Sequence, residues 1–502
     1  MFGRRQLIAG AAALAASRFL MAARVTAADR APRLAADPFA LGVASGEPAP
    51  DGFVLWTRAV GLDGDARLGY EIAADEGFRS IVRSGRVDAP AARGGAAHLE
   101  VRGLPPGRPF FYRFHLGDAV SRTGRTATMA TDPRRLRLAL TSCQHWEHGW
   151  FSAYRDMIAE GVEAVLQVGD YIYEKSFGSG PDVRAFGAPD PLTLDDYRAR
   201  HALYRTDSDL AAAHAAMPFV VAFDDHEVEN DYVGDHGGVT ADRTAFLRRR
   251  TAAWQAYFEH MPLRPSALRS GGRLQLYRRF HWGRLATVHV LDTRQYRSVQ
   301  PCSDTKRGGQ VVRGCAAVDD PDATVLGAGQ EAWLDAGLAR EEAGWSLIAQ
   351  QTLFARLALP QGPDARWSDM WDGYEAARRR AIASLTRPTV RNAVVLGGDV
   401  HSFWLNDILA DFGDPRSKVV ASEVVTSCLA SRSGPAALFD GAAARNPHVR
   451  YHDNAHAGYA LLDLVPQRLD VDLRAVSSLT DPAARCVSLE RRSIEAGRPG
   501  FA

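Results

Sequence analysis

The sequence is nearly without lysine: Lys175, Lys306 and Lys418 are the three it has, and arginine carries the rest of its positive charge. It also lacks an excess of either sign, with 60 basic residues against 59 acidic ones and a formal charge of +1. Such a balance leaves no electrostatic footprint for nucleic acid or an anionic lipid surface. Long hydrophobic runs are missing too. The apolar stretch at residues 7–16 is too short to span a bilayer. Together with the composition, this excludes a multispanning membrane protein, a collagen and a coiled coil. Cysteine is sparse, at five residues, an odd number. Cys302 and Cys315 flank a glycine-rich polar segment that a bridge could close, and Cys428 and Cys486 could pair in an oxidising compartment. That pairing leaves Cys143 free, although four cysteines permit three connectivities.

What is present is a chain of 502 residues, 46% apolar and 24% charged, the balance of a folded protein of two or three domains. Residues 1–28 read as an export signal. Arg4-Arg5 precede the short apolar stretch, and Val25-Thr26-Ala27 offers a cleavage site. Paired arginines point to the twin-arginine route, hence to a periplasmic or secreted protein that folds before it crosses. Loss of residues 1–27 removes four arginines and no acid, taking the charge from +1 to −3. No transmembrane anchor is then expected.

Residues 29–133 read as an all-β domain. Phe110, Tyr112, Phe114 and Leu116 alternate onto one strand face, and turns such as Leu104-Pro105-Pro106-Gly107 break the runs at sandwich-like intervals. The expectation is a fibronectin type III or immunoglobulin-like sandwich. From 134 to 502 strands alternate with helices, the pattern of an α/β catalytic domain. Strands are expected at 136–141, 164–168, 219–223, 285–291, 345–349 and 393–396, and helical segments at 151–161, 194–217 and 241–261.

Four of those strands run straight into polar clusters: Ser142-Cys143-Gln144-His145, Gly169-Asp170-Tyr171-Ile172-Tyr173, Asp224-Asp225-His226-Glu227 and Gly397-Gly398-Asp399-Val400-His401. Carboxyl ends of neighbouring strands in α/β sheets face one crevice, so these clusters can meet. Singly, each has an ordinary explanation, a cap, a turn or a buried small side chain. Jointly they form a set of thiol, phenol, carboxylate and imidazole donors, which is a metal-ligand inventory.

The motif Gly169-Asp170-x-x-Tyr173 is similar to the GDxxY motif of purple acid phosphatases and related binuclear metallophosphoesterases. Asp225-His226-Glu227 and Gly398-Asp399-x-His401 resemble two further blocks of that superfamily. With Ser142-Cys143-Gln144, Leu291-Asp292-Thr293-Arg294-Gln295-Tyr296-Arg297, Ala349-Gln350-Gln351 and Trp371-Asp372-Gly373-Tyr374, the sequence resembles the PhoD-type alkaline phosphatase/phosphodiesterase family over nearly its whole length. The resemblance implies a four-layer metallophosphoesterase β-sandwich flanked by helices. It also implies hydrolysis of phosphate mono- and diesters by a metal-activated hydroxide at a binuclear centre. It places Fe³⁺ on Cys143, Asp170, Tyr173 and His401. Ca²⁺ is expected beside it on Asp170, Asp225 and Asp399, with Mg²⁺, Mn²⁺ or Zn²⁺ as alternatives at that second site. His226 becomes the catalytic residue, and Asn230 and Arg294 candidate substrate contacts. Relative to purple acid phosphatases, Asp225 and Asp399 replace neutral ligands and harden the second site, and Gln350 or Gln351 falls where a histidine is expected. The partner expected is a small phosphate ester, and a monomer is favoured. A phospholipase D-like phosphodiesterase is the alternative activity, and an inactive exported binding protein the alternative of another class.

Overall fold

The computed structural model describes residues 37–177, 180–303, 309–414 and 416–502. The expected signal peptide lies outside them. Two sheets face each other at the centre. In the first, Leu136–Thr141, Ala164–Gln167 and Phe219–Val221 run parallel, extended on one side by the antiparallel strands Gly458–Val465, Arg468–Val476 and Cys486–Glu495. The second has Ala286–Val290, Trp345–Ala349, Ala393–Gly397 and Val419–Val425 in parallel, edged by antiparallel strands.

Strand periodicity builds this arrangement. Leu136, Leu138 and Leu140 point one way, into a core shared with Val288, Leu347, Val394 and Leu396 of the opposite sheet, whereas Ala139 points to the helical side. Val165 and Leu166 divide in the same manner. Strands covered on both faces in this way read as near-continuous apolar runs, which is how they appear in the sequence. Helices Leu194–Arg205, Ser208–Ala216 and Arg243–His260 pack outside the first sheet. Helices Gly327–Leu338, Glu375–Leu385 and Ala436–Ala443 pack outside the second. The result is four layers. Caps fix where the helices begin: Thr193 and Asp196 form a capping box, and Asp207 and Asp242 accept first-turn N–H bonds.

The N-terminal β region departs from a free-standing domain. It is two-layered, with Phe53, Leu55, Leu68, Ile72, Tyr112 and Phe114 in one core. Yet its strands Val43–Ala49, Gly52–Arg58 and Ala96–Val101 continue the first sheet, through the parallel register Gly46↔Phe219. Together the first sheet has nine strands. Pairing an edge strand of one region with an edge strand of the other removes two exposed ladders at once.

Cys302 and Cys315 are disulfide-bonded. The expected Cys428–Cys486 bridge is not formed, and both thiols are free. Cys428 Sγ faces the Ser431 carbonyl at 3.2 Å, while Cys486 opens an edge strand opposite Val476. Among the described residues, no helix is long and apolar enough to cross a membrane.

Candidate metal centre

The parallel strands of both sheets deliver their carboxyl ends to one place between the layers. Cys143, Asp170, Asp399 and His401 all have φ between 54° and 68°, four of the nine non-glycine residues with positive φ among those described. That region costs a non-glycine residue roughly 1–3 kcal/mol, so four such residues in one place mark a site rather than packing. Two glycines make the close approach. A Cβ at Gly169, whose φ is +130°, would meet Asp224 Cβ at 2.4 Å, and one at Gly398 would meet Ser142 Oγ at 2.3 Å.

The donors collect in three overlapping groups: Cys143, Asp170 and His401; Asp170, Asp225 and His226; and Asp170, Asp224, Asp225 and Asp399. Within each, one ligand atom per residue lies within 4.8 Å of the others. Asp170 belongs to all three. The Tyr173 hydroxyl sits between Asp170 Oδ2 at 2.9 Å and His401 Nε2 at 2.8 Å. His401 Nδ1 is 2.6 Å from the Arg432 carbonyl, so it carries the proton and leaves Nε2 as the free lone pair.

Electrostatically the cluster is short of positive charge. Burial, the largest cause, pushes Asp170 well up, Asp224 up to about 8 and Asp399 up to about 7. Burial acts on Asp225 too, but Arg294 and His226 outweigh it and hold that carboxyl down to about 2. Asp170 Oδ1 and Asp225 Oδ1 are buried without hydrogen bonds. Buried carboxylate oxygens without hydrogen bonds, beside a thiol, a phenol and an imidazole, are what a cation site requires before its ions bind, so the residues present fit a metal centre.

His226 lies over Tyr173, with ring centroids 4.3 Å apart, and its Nδ1 is 2.7 Å from Glu174 Oε2. Burial works against its charge, but Glu174, Asp225 and Asp170 reverse that and raise it well above the ordinary histidine range. Asn230 is half-buried, and its backbone N–H donates to Glu174 at 2.9 Å.

Arg294 lies against the acids of the cluster. It is fully buried, and its guanidinium bonds Asp224, reaches Asp369 at 2.7 Å and lies 3.2 Å from Asp225. It neutralises the acids from below. Gln350 and Gln351 bind surrounding polar groups instead: Gln351 Oε1 accepts from the Thr293 N–H at 2.9 Å, and Gln350 Oε1 from the Thr352 N–H at 3.1 Å.

Several working residues were not singled out from the sequence. Glu227 accepts the backbone N–H groups of Asp170, at 3.1 Å, and of Asp224, at 2.7 Å, tying two ligand loops together. Glu174 orients His226, and Thr352 donates to Asp399 at 2.8 Å. Glu227 stands inside a recognised block and Glu174 directly follows Tyr173. An acidic residue within two positions of a candidate ligand was the signal available.

Comparison with known proteins follows the geometry. Residues 138–473 match the family model described as PhoD-like phosphatase, and residues 24–130 the model for its N-terminal domain. Alkaline phosphatase D of Bacillus subtilis is 39% identical over 513 residues, covering 96% of this chain and 86% of that protein. A solved structure titled "Structure of PhoD" superposes with a TM-score of 0.89 at 36% identity, covering 94% of this chain and 93% of the other. A purple acid phosphatase from yellow lupin seeds shares the fold, with a TM-score of 0.59 at 12% identity over 91% of this chain and 74% of that one.

Proposed function

This chain belongs to the PhoD-like phosphatase family and is a phosphoric ester hydrolase, and from that premise we propose that it is an exported enzyme acting on phosphate mono- and diesters at a mixed iron–calcium centre. Cys143, Asp170, Tyr173 and His401 would hold Fe³⁺, because thiolate and phenolate donors stabilise the ferric state. Asp225 and Asp399 would hold Ca²⁺ together with Asp170, which belongs to both donor sets, since an all-carboxylate set suits a hard cation. The observation that carries this reading is the membership of Asp170 in all three donor groups.

When bound, such a pair supplies Lewis acidity, which makes a water acidic and offsets charge on the phosphoryl oxygens. The chain's own groups do the rest. The Glu174 carboxylate accepts from His226 Nδ1 and keeps that ring charged, so Nε2–H can donate to the leaving-group oxygen. As the water oxygen gives up a proton to solvent and bonds to phosphorus, the phosphorus–oxygen ester bond breaks and its electron pair stays on the leaving oxygen, which takes the His226 proton; the imidazole then regains a proton from solvent. Arg294 and Glu227 fix the acids and loops that frame the site. Arg4-Arg5 and the apolar stretch after them support twin-arginine export, and the spacing of turns in residues 29–133 supports a fibronectin type III-like origin for the N-terminal β domain.

The test is hydrolysis of p-nitrophenyl phosphate and bis-p-nitrophenyl phosphate with iron and calcium content measured alongside, beside Asp170→Asn. Activity on either ester that disappears in the variant, with the metals lost together, supports the reading. An Asp170→Asn protein as active as the parent would overturn it.

A further inference from the structure

The loop leaving Tyr173 carries an aromatic side chain that the chemistry above does not use. Phe177 is half-buried. Its ring stands nearly perpendicular to His226, at 5.2 Å and 86°, and to Tyr173, at 6.0 Å and 87°. Lys175 Nζ lies 4.8 Å from its centre, a cation–π contact that steadies the ring.

Its backbone is held as well. Arg432 donates to the Phe177 carbonyl at 3.1 Å and the Gly180 carbonyl at 2.9 Å, and pairs bidentately with Asp182 at 3.0 and 2.9 Å. The carbonyl of the same arginine accepts from His401 Nδ1. One residue thus ties the position of an accessible ring to an imidazole of the metal centre.

We propose that Phe177, held by Arg432, forms a leaving-group subsite that favours esters whose departing alcohol carries a flat aromatic ring. The proposal rests on the phosphoesterase reading and on His226 as the proton donor. A leaving oxygen that takes its proton from His226 must have its first carbon atoms beside that imidazole, and the ring already in edge contact with it is Phe177. Aromatic rings in edge or offset contact attract one another beyond the area they bury, whereas a short alkyl group gains only that area. The subsite therefore discriminates by the shape of the alcohol rather than by its charge.

Benzyl phosphate and ethyl phosphate separate ring contact from chemistry, because both leave as primary alcohols. In Phe177→Ala, kcat/KM on the benzyl ester is expected to fall about three- to tenfold more than on the ethyl ester. Phe177→Leu, which keeps bulk without the π face, should move the ratio the same way. So should Arg432→Lys, which loses the fork on Asp182. Binding of benzylphosphonate by calorimetry should weaken in parallel, and binding of ethylphosphonate should not. Equal losses on both esters mean that the ring only positions His226, and they overturn the subsite, as does no loss on either. Failure of the metal-loaded parent to release phosphate from either ester overturns the monoester activity proposed above, and the subsite with it.

Discussion

Tyr173 is buried among apolar side chains, yet its hydroxyl points away from them, between a carboxylate and an imidazole. A buried phenol usually finds one neutral partner. One placed between two metal-ligand types gives the iron assignment a direct spectroscopic check. Tyr173→Phe should fold, retain its calcium, and lose most of the visible absorbance of the iron-loaded parent. Identical spectra would remove Tyr173 from the iron. Glu174 works one position further along. Glu174→Gln takes the anion from His226 but leaves a hydrogen-bond acceptor, so kcat should drop about 10–100-fold with KM nearly unchanged. A matching loss of soluble protein or metal content would instead mark Glu174 as a structural residue.

At the scale of strands and loops, the site depends on how closely the turn after one strand meets the next. Gly169→Ala would force a side chain into both a strained φ and a 2.4 Å contact with Asp224 Cβ. An expected cost above about 2 kcal/mol should lower the melting temperature and the metal content together. A variant melting within a degree of the parent would sink that account. The strand ends were legible in the sequence for a related reason. A buried parallel strand is a short apolar run, and charge placed after each one stands out against it. Residues 136–141 and 345–349 begin and end where the apolar pattern does. What could not be read was pairing between distant segments. The Gly46↔Phe219 register joins regions whose composition differs, and nothing local to either announces it. The ion pairs of Arg294 with Asp224 and Asp369 were equally out of reach, because they depend on two other loops. The Cys428–Cys486 pairing failed on the same ground, since parity constrains how many bridges form but not which thiols face each other.

Across the whole molecule, four histidines away from the donor cluster are held neutral by their surroundings. Burial holds His98 down to about 4 and His201 down to about 3, and sends His214 and His260 well below the ordinary histidine range, with nearby arginines adding to the effect on all four. Below the unfolded histidine pKa of 6.5 the unfolded chain takes up protons that these folded rings refuse. Stability therefore falls as pH falls from about 6.5 towards 4, by about 1.4 kcal/mol per pH unit for each histidine, and these rings add no slope above 6.5. Denaturation midpoints of metal-loaded protein at pH 7.5, 6 and 5 should decline steeply, and a flat series would contradict the neutral assignment.

The strand that leads to Cys143 has its two neighbours at very different distances along the chain: 164–167 lies close by, and 458–465 comes near the end. A nascent chain that has reached residue 450 already contains all three donor groups, yet that strand still presents a bare edge. Completion of the catalytic sheet waits for the last segment to leave the ribosome, which makes the fold one of high contact order and slow to form. A chain ending at residue 457 should collapse or aggregate instead of binding a metal ion, although it contains every residue of the three donor groups.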